Sequence, residues 1–308
     1  MTESSRNNDT LVTKIWDGKL LFSYHQDSGG RSGHVLKDLF SSVVVARLFG
    51  GSVAYNESWE RQSLLPLAGV KQVLDTKTPF SDDTTLVVRP KVDFWGGLSF
   101  GHLLQFEKWL EENVKRGRNT CVQLRGVFRI HLSQVHNWEL QKRIPQGTFL
   151  SLVSDLRKMY WNGAMPNQTD WPPRRVAIHV RRGDVADPKH REFRKMGPGG
   201  VWNSAFYQKC IDQLAQEFPD CKIELHSEIR GSEDIQKLSG AELHLGRGQD
   251  LLYQVRSMLT ADLFVPANSS LSTWLCYLTK GRVRIYHSAH IKHFTHSDYP
   301  SNLSLIHI

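Results

Sequence analysis

Arg181, Arg182 and Asp184 follow directly on a run of apolar residues, with Gly183 between them. Two adjacent guanidinium groups suit a phosphate. Each is permanently charged and offers a planar fork that grips two oxygens through parallel hydrogen bonds. Gly183 lets the chain turn sharply, and Asp184 can hold an arginine or a hydroxyl in place. A second group, Asn268-Ser269-Ser270, has the residue types of a helix N-cap. A capped helix start presents unpaired N–H groups to an anion. The chemistry these two groups share is the binding of a phosphorylated ligand. Two plainer readings stay open on the residues alone: a solvated basic turn, and a helix that is simply well capped.

The elements that must hold these residues are legible around them. Val176 to Val180 is a short apolar, β-branched run, the pattern of a buried strand in an α/β sheet. In such a sheet ligands gather at the carboxyl ends of the strands, which is where Arg181 falls. Leu263 to Val265 is a second strand, ending in Pro-Ala-Asn before a helix that starts around the serines. Between the two motifs the sequence predicts a helix over 203–218, strands at 223–228 and 243–245, and a helix over 250–259.

The first half opens on a strand, Leu20 to Tyr24, then the glycine-rich turn 27–34 with Gly30 and Arg31, a helix from Val35, and a strand at 52–55. This is a βαβ order whose turn lets a ligand approach the helix N-terminus. The spacing is not the Gly-x-Gly-x-x-Gly of dinucleotide sites. Leu86 to Val88 reads as a strand, Asp93 to His102 as a glycine-punctuated loop, and 106–114 and 149–160 as amphipathic helices. Trp95, Trp138 and Trp161 are placed either in a core or stacked on a sugar ring, with the core favoured. The proline-rich stretch Pro166 to Pro173 reads as a linker, dividing the chain into domains 1–170 and 171–308.

Composition bounds the partners. A formal net charge of +8 over 308 residues points to an acidic ligand, yet no dense basic tail predicts nucleic-acid binding. No long apolar run and no apolar N-terminal signal core is present, so the expectation is a cytoplasmic protein or the soluble domain of a longer one. Cys121, Cys210, Cys221 and Cys276 lack Cys-x-x-Cys spacing and read as buried free thiols rather than a disulfide framework. Asn-x-Ser/Thr triplets at Asn8, Asn56, Asn167, Asn268 and Asn302 matter only in a secretory lumen. His287, His290, His293 and His296 recur every third residue, a spacing that does not converge on one ion, so no metal site is expected.

His179-Val180-Arg181-Arg182-Gly183-Asp184 resembles the His-x-Arg-Arg-x-Asp motif of the α-1,2-, α-1,6- and protein O-fucosyltransferases. Asn268-Ser269-Ser270-Leu271-Ser272 resembles a segment near the end of the same enzymes, in the same order along the chain. The turn at 27–34 resembles their Gly-rich opening, with His34 where Asn or Cys-Gln is usual. The resemblance covers about 26–46 and 174–278.

It implies an α/β chain of GT-B architecture, two Rossmann-like domains facing across a cleft. The N-terminal domain takes a glycan acceptor and the C-terminal domain takes GDP-fucose as donor substrate, with no cofactor and no metal. By resemblance Arg181 neutralises the leaving β-phosphate, while Arg182 braces the turn through Asp184. His179 and Asp250 contact guanosine, and Asn268, Ser269 and Ser270 receive the phosphate; Gly30 and Arg31 join the binding residues. The α-1,6 enzymes have a glutamate where this chain has Lys189, so Asp187 is the candidate general base, with Glu192 and Asp27 as alternatives.

Three other functions remain compatible with the residues: transfer from another nucleotide sugar, non-catalytic binding of anions or glycans, and nucleic-acid binding, which predicts steep salt dependence. Oligomeric state is not legible.

Overall fold

The structure is a computed structural model describing residues 20–25, 32–55, 85–88, 99–115, 118–125, 130–161, 172–182, 203–228, 234–246, 251–267, 269–287 and 303–307. The chain divides into two compact units, Met1–Asn162 and Gly163–Ile308.

In the first unit β1 (Leu20–His25), α1 (Ser32–Leu48) and β2 (Ser52–Tyr55) form the expected parallel βαβ unit. β3 (Thr85–Val88), α2 (Phe100–Asn113), β4 (Thr120–Arg125), α3 (Leu132–Leu140) and α4 (Thr148–Trp161) follow. The described strands make one parallel sheet in the order β2-β1-β4-β3. α1 is buried on almost every side between Phe40 and Ala46, so its apolar residues are not confined to one stripe. The rings of Phe22, Phe49 and Phe106 meet in the core, Phe49 edge-on to Phe106 at 5.2 Å.

α2 begins earlier than the sequence predicts. Ser99 caps it through a bond from the His102 N–H, and His102 Nδ1 accepts from the Ser99 N–H in return. Residues 100–102, read as part of a loop, are therefore helical. Trp138 packs against Phe100 and is 6% exposed, a core position. Trp161 is half-buried beside Tyr160, and Trp95 lies outside the described residues.

The second unit comprises β5 (Arg175–His179), α5 (Ser204–Glu217), β6 (Lys222–Glu228), a short 3₁₀ turn (Ile235–Lys237), β7 (Glu242–Gly246), α6 (Leu251–Thr260), β8 (Leu263–Val265), α7 (Ser270–Leu278), β9 (Arg282–His287) and β10 (Leu303–His307). All described strands are parallel, in the order β10-β9-β8-β5-β6-β7. Counted from β5, that order is 3-2-1-4-5-6, the Rossmann winding.

Alternation along β5 sends Val176, Ile178 and Val180 to one face, where they form a core with Tyr207, Cys210, Ile211 and Leu214 of α5. Arg175 and His179 take the other face, against α6 and α7. Cys121, Cys210 and Cys276 are buried and Cys221 is half-buried, all as free thiols. Among the described residues, no helix is long and apolar enough to cross a membrane.

Candidate functional site

The strand order of the second unit reverses between β5 and β8, so their carboxyl ends open the crevice where doubly wound sheets bind ligands. The two sequence motifs lie at those ends. Val180 extends the β5 ladder by donating its N–H to the His226 carbonyl at 2.8 Å. Alternation then returns Arg181 to the face of His179, and its charge is close enough to lower the His179 pKa.

On the β8 side, Ser269 is the N-cap of α7 and accepts from the Ser272 N–H at 3.1 Å. Its backbone carbonyl takes the Thr273 N–H. The first two amides of a helix, here those of Ser270 and Leu271, have no acceptor within the helix and favour a negative charge.

One contact ties the two sides together. His179 Nδ1 lies 2.5 Å from Ser272 Oγ, which also accepts from the buried Ala267 N–H at 3.0 Å. The hydroxyl has two lone pairs and one proton, so beside the Ala267 bond it donates to Nδ1 or accepts from it according to the tautomer of the ring. Burial, then His226 and Arg181, push the His179 pKa down to about 3, which keeps the imidazole neutral near pH 7.

Arg182 sits on the other face. The residue is buried, and its guanidinium donates to both oxygens of Asp234 at 3.1 and 2.8 Å and lies 5.6 Å over the Tyr207 ring. The resemblance gives Arg182 a bracing role through Asp184; among the described residues the carboxylate it holds is Asp234. The expected partner Asp184 lies outside the described residues, as do Asp187, Asn268, Asp250, Gly30, Arg31, and the alternatives Asp27 and Glu192. Asp250 directly precedes α6, and Ser270 is described only by its place at the first position of α7.

The residues that sequence reasoning passed over are Asp234 and Ser272. Ser272 stands within the quoted motif, three residues after the cap, a spacing that signals N-cap pairing with the third helical amide. Nothing in the sequence links Asp234 to Arg182, 52 residues away.

Compared by sequence, the chain matches no protein-family profile and no curated protein. Solved structures that resemble it in fold include two glycosyltransferases. Heptosyltransferase WaaC of E. coli, with ADP, is 11% identical, covering 94% of this chain and 93% of that one at a TM-score of 0.43. A glycosyl transferase of family 9 from Veillonella parvula is 9% identical, with 96% and 87% covered and a TM-score of 0.43. Likeness at that level says nothing about substrate.

Proposed function

We propose that the chain is an inverting glycosyltransferase of GT-B architecture that transfers fucose from GDP-fucose to a glycan hydroxyl. The observation that carries this reading is the pairing of Arg181, after β5, with the N-terminus of α7, after β8, at the Rossmann switch point. A diphosphate leaving group needs positive charge at the departing oxygen more than it needs a covalent nucleophile. The resemblance of both motifs to fucosyltransferases supplies the choice of donor.

In this reading the acceptor oxygen attacks the anomeric carbon as the bond to the β-phosphate oxygen breaks. The electron pair leaves with GDP, and the acceptor proton passes to a base, for which Asp187 is the candidate. Arg181 neutralises the charge growing on the phosphate. The Ser269–Ser270 end of α7 receives the same phosphate through its N–H groups. His179, a neutral imidazole, contacts guanosine, and Asp250 is its companion there. The acceptor falls to residues 1–170. The step needs no divalent ion, because arginine and helix N–H groups carry the diphosphate charge; turnover sustained in excess chelator is the expected result.

A thermal-shift series with GDP, GDP-fucose, and ADP- and UDP-sugars tests the donor. A ligand at 100 times its dissociation constant adds about 2.7 kcal/mol to stability. Protection by the two guanosine ligands is expected. Protection by an ADP- or UDP-sugar instead would favour transfer from another nucleotide sugar, and protection by GDP-fucose without any turnover would leave a binding protein.

A further inference from the structure

Strands β6 and β7 carry polar residues on the face that meets α6, where a Rossmann sheet is ordinarily apolar. Lys222, Glu224 and His226 alternate along β6, and Glu242 and His244 along β7 in register with Glu224 and His226. Glu224 is 5% exposed at its side chain and is held rigidly: its Oε2 accepts from Arg175 at 3.2 Å and from Ser257 at 3.0 Å. Burial raises its pKa, but the bonds from Lys222 and Ser257 and the Arg175 charge outweigh that and hold it at about 2. Lys222 Nζ spans the two carboxylates, 3.0 Å from Glu224 and 2.7 Å from Glu242. One donor atom each of Glu224, Glu242 and His244 lie within 4.8 Å of one another.

Two imidazoles beside these carboxylates lack the partners that buried nitrogens ordinarily have. His244 Nε2 is buried and makes no hydrogen bond, standing 3.3 Å from Glu242 Oε1. His226 is 0% exposed, neither ring nitrogen is hydrogen-bonded, and its Nε2 points at Glu224 Oε2 from 3.5 Å. Its ring stacks on His244 at 4.9 Å. Both Nε2 atoms are thus buried beside carboxylate oxygens without a hydrogen bond to them.

We propose that Glu224, Glu242 and His244 form a divalent-metal site with His226 at its inner wall, and that Lys222 is the cation the metal displaces. Two carboxylates with imidazole nitrogen are a donor set for Zn²⁺. Metal–ligand bonds of about 2.0–2.2 Å require the donor atoms to draw together by roughly an ångström. Glu242, 51% exposed, is free to swing in, and Lys222, 53% exposed, is free to swing out. Glu224 stays fixed by Arg175 and Ser257, which act as the outer shell that orients a ligand. Glu224 and Glu242 lie in the amino-terminal half of β6 and β7, while His226 at the inner wall stands in register with His179 on β5, so the role of the site is to tie β6, β7 and α6 together beside the donor-site strand.

The test uses the full chain freed of metal by a chelator, with Zn²⁺ followed by thermal shift and Co²⁺ followed by its visible absorption. One equivalent should bind, raise the melting temperature and give the intense bands of four-coordinate cobalt. Glu242→Gln and His244→Ala should each weaken binding by about tenfold or more. Lys222→Met, which removes the competing charge, should tighten it by about tenfold. Glu242 is half exposed, so its glutamine variant should stay folded by circular dichroism. The tail histidines are controlled by a His290→Ala, His293→Ala, His296→Ala variant, which should bind as the parent does. Absence of binding in both the parent and Lys222→Met, or binding unchanged in Glu242→Gln combined with His244→Ala, overturns the site.

Discussion

The His179 ring and the Ser272 hydroxyl stand 2.5 Å apart across the point where the strand order of the second unit reverses. Ser272 therefore serves two masters: the Ala267 N–H, buried in the turn after β8, and the imidazole at the end of β5. Through it, the start of α7 and the turn that carries Arg181 share one geometry.

Replacing Ser272 with alanine should cost more than replacing the cap. Ser272→Ala strands the Ala267 N–H, which is 2% exposed, without an acceptor. Leaving a buried donor unsatisfied costs about 1–3 kcal/mol. Ser269→Ala removes an N-cap worth about 1 kcal/mol while water can reach the helix end. Urea denaturation of the two variants should show the larger loss for Ser272→Ala, with the slope unchanged.

The pairing of Arg182 and Asp234 predicts an asymmetry. Arg182 is 2% exposed at its side chain and Asp234 is 43% exposed. Asp234→Ala leaves a buried guanidinium without its counter-charge, a loss of about 3 kcal/mol at the lower end for broken buried pairs. Arg182→Met leaves only a solvated carboxylate and keeps an apolar stem over Tyr207, so it should cost clearly less. Equal losses in the two variants would mean that water already reaches Arg182.

Much of this was legible before the structure, and the misses share a cause. β5 and β8 declare themselves because Val176-Ala177-Ile178 and Leu263-Phe264-Val265 are apolar, partly β-branched and end in polar turns. β4 did not, because Thr120-Cys121-Val122-Gln123-Leu124-Arg125 mixes polar and apolar residues although Cys121, Val122 and Leu124 are all 0% exposed. α2 hid its start because a histidine, in place of the usual glutamate, completes its cap. In the proposed site, the residues assigned to a ligand come in short motifs. Asp234 and Ser272, which hold those residues in place, matter only through packing that local sequence does not encode.

His179 also predicts a pH dependence. Its pKa in the folded chain is about 3, against about 6.5 when exposed. Between those values the unfolded chain binds a proton that the folded one does not, so stability falls as pH is lowered through that window and is fully present above it. The slope is at most about 1.4 kcal/mol per pH unit, and less to the extent that water reaches the half-buried ring. His179→Asn keeps a polar group near the Nδ1 position and does not titrate. It should flatten the stability profile between pH 6 and 4 relative to the parent, measured by denaturant midpoint. Identical profiles would mean that the imidazole is charged in the folded state.

Arg181 separates an enzyme from a binder. If its guanidinium meets charge that grows on the leaving phosphate, its contribution is larger in the transition state than in the bound ground state. Arg181→Lys keeps the charge and loses the planar two-point grip. The expected fall in kcat with GDP-fucose is about a hundredfold or more, the scale for losing one strong electrostatic donor. GDP affinity, measured by calorimetry, should fall by a smaller factor, since in the proposed site the N–H groups at the start of α7 also meet the phosphate. Arg182 gives the control, because its guanidinium is committed to Asp234 on the opposite face. Arg182→Lys should lower stability while GDP affinity per folded molecule stays near that of the parent. An Arg181→Lys variant with weakened GDP binding and undiminished kcat would make Arg181 a ground-state binding residue, and the proposed chemistry would lose its central group.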